Sequence, residues 1–254
     1  MRVRILGCGT SSGVPRIGND WGACDPAEPR NRRRRASILV EAGGVVVLVD
    51  TGPDMREQLL DAEVGRVDAV VWTHDHADHT HGIDDLRQLY HAIGRPVPGY
   101  ARADCAGVLE RRFEYVFKGG RSYPPSANLH LLPDRLTLGA LEVRVIDQPH
   151  GRISSAGLVF AHGGRRAVYS TDFNVLTPEM RAAYEGCDLW IADALRHAPH
   201  PSHPTVAQTV EWAATLGAKR TVLTHMDHSL DYRTVAASLP TGVEPAYDGM
   251  ELWT

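Results

Sequence analysis

The chain has 254 residues, of which 43% are hydrophobic, and its 27 Lys and Arg against 31 Asp and Glu leave a formal net charge of −4. This length suits one large α/β domain, and the negative balance argues against a general binder of polyanions. The four cysteines form no C-x-x-C pair, and neither a run of ~18 apolar residues nor a signal-peptide pattern occurs. We therefore expect one domain over residues 1–254, in the reducing cytoplasm and away from membranes.

Short β-branched segments bounded by Gly, Pro or Asp predict strands along the chain. In chain order they are RVRILG (2–7), ASILVEAGGVVVLVDTG (36–52), VDAVVWTH (67–74), LEVRVIDQPHG (141–151), SAGLVFAHGGRRAVYSTD (155–172), DLWIADA (188–194) and RTVLTH (220–225). Helical periodicity marks PDMREQLLDA (53–62), GIDDLRQLYHAIG (82–94) and TVAQTVEWAATLGA (205–218). Hairpins in both halves, with helices between them, predict an α/β sandwich of two sheets covered by helices.

Polar side chains of the types that bind metals follow several of these strands at the point where the apolar run stops. His74 follows VVWT, His150 follows VRVIDQP, Asp172 follows AVYST and His225 follows TVLT. Loops at strand ends, held by a rigid scaffold, are where binding groups usually cluster. We therefore expect these four side chains to share one site.

The segment THDHADHTHG (73–82) supplies further candidates at the spacing H-x-H-x-D-H. The predicted metal ligands are His74, His76, Asp78, His79, His150, Asp172 and His225. Imidazole nitrogen and carboxylate oxygen, without thiolate, accept zinc, manganese or iron. A solvated turn is the alternative, but the motif followed by three separate strand-end ligands is hard to obtain by chance, so the sequence predicts a metal site.

THDHADH resembles the signature of the metallo-β-lactamase superfamily. LGCGTSSGVP, DPAEPRNRRRRASILV, LVDTGPDMREQL, YSTDFN, LTHMDHS and YDGMEL resemble its phosphodiesterase branch. That branch includes the phosphoribosyl 1,2-cyclic phosphate phosphodiesterases and, more distantly, the tRNA 3′-processing nucleases. The resemblance covers essentially the whole chain and implies a four-layer αββα sandwich with a dinuclear site between the sheets.

The resemblance also implies how the ligands divide between two divalent ions, either zinc or manganese. One ion would be bound by His74, His76, His150 and Asp172, and the other by Asp78, His79, Asp172 and His225. The general acid of the branch corresponds to His203 in HPSHPTV, although on the residues alone His197 and His200 compete with it. The catalytic candidates are thus His203 and the ligand Asp78, and Asp193 either orients a site residue or is structural.

One departure from the branch concerns a separate structural zinc site, which the resembling phosphonate-pathway enzymes build from three N-terminal cysteines and a histidine. Only Cys24 and His228 match here, because Asn19 and Trp21 stand at the two other cysteine positions. Two ligands do not close a tetrahedral site. We therefore predict that no structural zinc is bound there.

Two divalent ions about 3.5–4 Å apart can activate a water and neutralise charge on an attacked phosphoryl group, while an imidazole protonates the leaving alkoxide. The predicted function is hydrolysis of a small cyclic or nucleotide-like phosphate diester. Hydrolysis of a carbon-centred ester, thioester, lactone or lactam is the alternative, but lactamases of the superfamily usually carry a cysteine where Asp172 stands. Processing of RNA 3′ ends is disfavoured, because no long inserted arm for tRNA is visible.

Two further segments leave alternatives open. Five arginines in RNRRRR (30–35) could bind nucleic acid, but we expect most to be exposed and one or two at most to face the substrate. The aromatic segment RRFEYVFKGGRSYPPS (111–126) could cover the substrate, form a homodimer contact or pack over the core.

Overall fold

Two seven-stranded mixed sheets carry the fold of the computed structural model, which describes all of residues 1–254. The first sheet has the order β14 (Glu251–Trp253), β1 (Arg2–Gly7), β2 (Ser37–Ala42), β3 (Val45–Val49), β4 (Ala69–Trp72), β5 (Val97–Ala101) and β6 (Ala127–Leu131). The second has the order β13 (Val243–Pro245), β12 (Thr221–Thr224), β11 (Leu189–Asp193), β10 (Arg165–Ser170), β9 (Ile153–His162), β8 (Leu141–His150) and β7 (Arg135–Leu138).

The two sheets repeat one pattern of strand directions. Strands β1 to β3 pair antiparallel and β3 to β6 pair parallel, and likewise β7 to β10 pair antiparallel and β10 to β13 parallel. Because neighbouring parallel strands end at the same edge of a sheet, the polar residues that follow β4, β10 and β12 lie at such edges. This arrangement brings distant parts of the sequence to one site.

Eight α-helices and two short 3-10 helices (Pro29–Asn31 and Ile83–Asp85) connect the strands. The α-helices are α1 (Met55–Asp61), α2 (Ala77–Thr80), α3 (Leu86–Ile93), α4 (Ala103–Arg112), α5 (Glu114–Lys118), α6 (Pro178–Tyr184), α7 (Val206–Leu216) and α8 (Tyr232–Ser238). The capping box of Thr205 and Gln208 begins α7 and left-handed Gly217 ends it, within the helix predicted at 205–218. No helix is long and apolar enough to cross a membrane.

Three apolar layers separate the four layers of secondary structure. Alternate residues of each strand face opposite ways, so that Val47 and Val49 join Phe160 of the other sheet in the core between the sheets. Leu48, between them, packs with Met55 in the outer core beneath the helices of the first sheet. A third core lies between the second sheet and α6 and α7. The αββα sandwich is therefore confirmed.

The aromatic segment 111–126 packs over the first outer core. Phe113 and Val116 are buried there, and α5 begins directly after Phe113. Tyr115 and Tyr123 keep 42% and 40% of their surface exposed, and the Tyr115 hydroxyl donates to Asp84 at 2.5 Å. Of the three alternatives the structure supports core packing, and the homodimer stays a prediction.

The expectation that most arginines of the cluster are exposed was wrong, because only Arg30 and Arg32 are exposed. Arg33 is only 2% exposed and donates to the backbone carbonyls of Asp227 and Leu230 at 3.1 and 2.6 Å. Its Nη1 lies 3.9 Å from the Cys24 sulfur. The reason is that the segment folds inward against the loop after β12, where a guanidinium can satisfy several carbonyls at once.

The other arginines engage local partners. Arg34 and Arg35 form ion pairs with Asp61 and Asp54 at 2.6 and 3.0 Å. Exposed Arg30 lies over the rings of two tyrosines and exposed Arg32 over the ring of Trp21. The cluster is thus dispersed into separate contacts.

These contacts predict that Cys24→Ser leaves the metal content of the purified protein unchanged, because the cation nearest to the thiol is the Arg33 guanidinium. Elemental analysis of wild type and variant side by side provides the measurement. A loss of one ion per chain in Cys24→Ser would show that a structural metal is bound there.

Arg33→Ala, in contrast, should lower the free energy of unfolding by about 3 kcal/mol, because it removes a buried side chain together with its hydrogen bonds to two carbonyls. Exposed Arg32→Ala is the matched control and should cost about 0.5 kcal/mol or less. Urea denaturation of both variants measures the difference, and equal costs would contradict a bracing role for Arg33.

Candidate metal centre

The seven predicted ligands converge at the facing edges of the two sheets. The first sheet supplies His74, two residues after β4, and the loop and short helix α2 that follow supply His76, Asp78 and His79. The second sheet supplies His150 at the end of β8, Asp172 two residues after β10 and His225 directly after β12. All seven are buried except His76, which is exposed.

Left-handed backbone shapes the strand ends at three of these turns. Asp50, Asp172 and His225 have φ values of 65°, 55° and 58°, in a region that residues other than Gly seldom adopt. Each follows a buried strand closely. Strained backbone of this kind concentrates at functional sites, where the surrounding structure holds it in place.

One group of donor atoms forms around one oxygen of Asp172. Its members, whose ligand atoms all lie within 4.8 Å of one another, are His74, His76, His150 and Asp172. Asp172 Oδ1 lies 3.8 Å from His74 Nε2 and 3.6 Å from His150 Nε2. The carbonyl of Ser202, 3.0 Å from His150 Nδ1, accepts its proton and leaves Nε2 free to face the group.

A second group forms around the other oxygen. Asp78, His79 and His225 have ligand atoms within 4.8 Å of one another. Asp172 Oδ2 lies 3.2 Å from His79 Nε2 and 3.5 Å from His225 Nε2. The two oxygens of one carboxylate therefore face two separate sets of histidines.

The chemistry of these donors fits divalent cations. The Nε2 atoms of His74, His79 and His225 are buried, and none has a hydrogen-bond partner in the protein. A buried polar atom without a partner is costly, so three such atoms on the two sides of one carboxylate indicate that cations bind there. Nitrogen and carboxylate oxygen together suit zinc and similar first-row ions.

Each carboxylate and imidazole of the site shifts the pKa of its neighbours. Burial would lower the pKa of His225, but the Asp172 and Asp78 carboxylates outweigh it and raise this pKa to about 9. Burial likewise opposes protonation of His79, yet Asp172 and its other carboxylate neighbours raise the pKa. The pKa of His74 is lowered by burial and then by His79. Burial would raise the pKa of Asp172, but the adjacent imidazoles bring it well below the usual value.

Asp50 is a site residue that the sequence reading did not single out. It is fully buried, and its Oδ2 lies 2.7 Å from His79 Nδ1 while Oδ1 accepts from the Thr73 backbone at 2.8 Å. A carboxylate on Nδ1 sets the tautomer of a ligand histidine and makes it a better donor. The sequence feature that could have identified Asp50 is its position directly after the apolar run VVVLV, where the other site residues also stand relative to their strands.

His203 lies beside the ligand groups, with Nε2 3.8 Å from Asp172 Oδ1. Its Nδ1 is 2.7 Å from Asp193 Oδ2, which also accepts from the Asp172 backbone N–H at 2.9 Å. Asp193 thus contacts both His203 and Asp172, which favours an orienting role for it over a purely structural one. His203 and Asp193 also group with Asp172 and His225 as a third set of candidate ligands. Experiment must therefore separate a proton donor from a ligand.

A groove of about 1200 Å³ lies beside His74 of the first ligand group. Asp75, Arg102, Arg152 and Thr177 also line it. Arg102 is already paired with Asp134 and Asp147, both at 2.8 Å. The groove can therefore admit a small molecule next to the buried donors.

Comparison with known proteins agrees with this geometry. A family model described as a beta-lactamase superfamily domain matches residues 46–226. A crystal structure of a new diphosphatase from the PhnP family is 37% identical, with a TM-score of 0.90 over 99% of this chain and 97% of that chain. Zinc-bound PqqB from Methylobacterium extorquens, at 18% identity and a TM-score of 0.76, covers 100% of both chains and shares the fold.

Two curated relatives are longer than this chain. An octanoyltransferase of Porphyromonas gingivalis is 32% identical over an alignment of 259 positions, which covers 99% of this chain and 51% of that protein. A ribonuclease Z of Bradyrhizobium sp. is 29% identical over 144 residues, 54% of this chain and 48% of that protein. The chain spans about half the length of these relatives, so their names describe larger proteins.

The position of Asp172 between the groups predicts that Asp172→Ala lowers the metal content from about two divalent ions per chain to none. His76 belongs to the first group alone, so His76→Ala should remove about one ion and is the matched comparison. Elemental analysis after zinc loading measures both. An Asp172→Ala protein that keeps one tightly bound ion would contradict the sharing of this carboxylate.

The raised pKa of His225 predicts that metal binding releases protons. Below about pH 9 the metal-free ring is protonated, whereas a ligand ring must be neutral, so zinc affinity should rise with pH up to that value. Calorimetric titration with zinc at pH 7, in two buffers of different ionisation enthalpy, should show at least one proton released per chain. His225→Ala should reduce this number, and a buffer-independent heat would contradict the prediction.

Proposed function

The chain belongs to the metallo-β-lactamase superfamily, and from that membership we propose that it is a hydrolase that uses two divalent ions, zinc or manganese, to cleave a small phosphate diester. The observation that carries this proposal is the central carboxylate, whose two oxygens face two sets of imidazoles. A substrate with two phosphoryl oxygens to neutralise matches such a paired arrangement.

The proposed ligands divide as the two groups do. One ion takes His74, His76, His150 and Asp172, and the other takes Asp78, His79, Asp172 and His225. Bound there, two divalent ions supply an activated water and neutralise charge on the phosphoryl group. Asp78 thereby acts in catalysis as a ligand, while Asp50 holds the ring of His79 in place.

His203 is the proposed general acid. The Asp193 carboxylate accepts its Nδ1–H and so orients the ring, with Nε2 as the atom that protonates the leaving oxygen. The side chain is 10% exposed and stacks on His225, with ring centroids 4.9 Å apart. Its Nε2 is thus held at the boundary between the buried ligands and the open site.

A small substrate suits this chain better than RNA. Within the sequence itself, the arginine cluster was the feature that suggested nucleic acid, and its members are buried or engaged with other side chains. The groove mixes Arg102 and Arg152 with Asp75, Asp104, Asp147 and Glu179, so it is not the basic surface that a polyanion requires. We therefore favour a compact nucleotide-like or cyclic diester.

A diphosphate diester is a second candidate, because the similar crystal structure described above is named a diphosphatase. Each phosphorus of such a molecule carries two substituted oxygens, one in the P–O–P link and one in an ester, just as a phosphodiester carries two ester oxygens. The same metal ligands and the same general acid would therefore act in its hydrolysis. Carbon-centred esters, thioesters and lactones remain the alternative from another class.

The test of the proposed function is a substrate panel with zinc- or manganese-loaded protein. Bis(p-nitrophenyl) phosphate, nucleoside 2′,3′-cyclic phosphates and dinucleoside diphosphates should be hydrolysed, and a chelator should abolish the activity. Thioesters and lactams should be poor substrates. Hydrolysis of thioesters or lactams, without hydrolysis of any phosphodiester, would contradict the proposal.

The assignment of His203 predicts that His203→Ala keeps both ions but slows phosphodiester hydrolysis by about 10²–10⁴-fold, the usual contribution of a positioned acid–base group. The loss should be smaller for a p-nitrophenolate leaving group, which needs little protonation, than for a ribose alkoxide. Kinetics with both substrates on metal-analysed protein provide the measurement. Loss of an ion would make His203 a ligand, and equal losses would indicate phosphate binding instead.

A further inference from the structure

We infer that His200 determines specificity by donating a hydrogen bond from Nε2–H to an oxygen on the leaving group of the substrate. The inference rests on the proposed phosphodiester hydrolysis and adds a residue to it. His200 belongs to the loop 194–205, between β11 and α7, and is partly buried.

The loop holds His200 in place before any substrate arrives. Arg196 donates to the carbonyls of Ala198 and Pro199 at 3.2 and 3.0 Å. On the other side of His200, the Asn174 side chain donates to the Pro201 carbonyl at 3.0 Å. Hydrogen bonds therefore fix the backbone on both sides of this residue, which reduces the ordering cost when a ligand binds.

The hydrogen bonds of Ser202 settle which nitrogen of His200 carries the proton. The Ser202 backbone N–H, which can only donate, is directed at His200 Nδ1 at 3.3 Å, and the Ser202 hydroxyl lies 3.2 Å from the same atom. Nδ1 must therefore be the acceptor, and in the neutral ring the proton resides on Nε2.

Nε2–H of His200 has no hydrogen-bond partner in the chain, and the ring lies next to the general acid. The ring centroids of His200 and His203 are 5.0 Å apart, and those of His203 and His225 are 4.9 Å apart. The ring of His203 thus contacts both a ligand ring and the ring of His200. Since the acid protonates the leaving oxygen, the atoms beyond that oxygen come closest to His200.

The chemistry of the donor defines what it recognises. A neutral N–H seeks an oxygen acceptor, such as a sugar hydroxyl or a phosphate oxygen on a nucleotide-like leaving group. p-Nitrophenolate has no acceptor adjacent to its leaving oxygen. No proton is transferred to or from His200, so its effect should depend on the leaving group's acceptors and not on its basicity.

The kinetic test compares two substrates. His200→Ala should lower kcat/KM for adenosine 2′,3′-cyclic phosphate by about 2- to 10-fold, the value of one neutral hydrogen bond, and leave bis(p-nitrophenyl) phosphate unchanged. His200→Gln, whose amide can place an N–H near the same point, should restore most of the loss. His197→Ala, an exposed histidine of the same loop, is the matched control. Equal losses with both substrates, or a loss of metal, would overturn the inference.

A second measurement does not depend on turnover. Nitrogen-15 NMR of the zinc-loaded protein should show the Nε2–H tautomer for His200, and adenosine monophosphate should shift its ring signals but not those of His197. An Nδ1–H tautomer, or signals unmoved by the nucleotide, would refute the donor role. A protein inactive against all phosphodiesters would instead refute the proposed function, and the NMR result would still decide the role of His200.

Discussion

The carboxylate of Asp172 is the interaction on which the site depends. It is buried between the sheets, with Oδ1 facing His74 and His150 and Oδ2 facing His79 and His225. A buried carboxylate is tolerated only when cations or donors compensate it. Protons on imidazoles compensate it in the metal-free protein, and divalent ions can replace those protons, which couples metal loading to pH.

The same residue joins the ligands to the proposed acid. The Asp172 backbone N–H donates to Asp193, and Asp193 also accepts from His203. The Ser202 carbonyl holds His150 while the Ser202 N–H orients His200. The loop before α7 therefore aligns a ligand, an acid and a donor through a few short hydrogen bonds, and its Arg196 contacts explain how an irregular segment stays ordered.

The number of arginines in the cluster 30–35 overstates the positive charge that the surface offers to a ligand. Five arginines in six positions read as a binding patch, but Arg33 is buried against backbone carbonyls and Arg34 pairs with Asp61. The side chain of an arginine is long enough to serve as a structural brace between loops. In this chain that use removes the main reason to expect nucleic acid and directs attention to the groove beside His74.

The sequence alone determined the features that depend on neighbours along the chain. Hydrophobic periodicity located α7 and the central strands, and the H-x-H-x-D-H spacing with polar residues at strand ends singled out the candidate ligands. Short strands such as β6, β7, β13 and β14 were missed, because their pairing depends on partners far away in the sequence. The tertiary structure alone decided the partners of the site residues. Asp50 meets His79, and Ser202 sets the tautomer of His200, because strand ends from two separate sheets pack at one edge and contacts across that edge leave no local pattern.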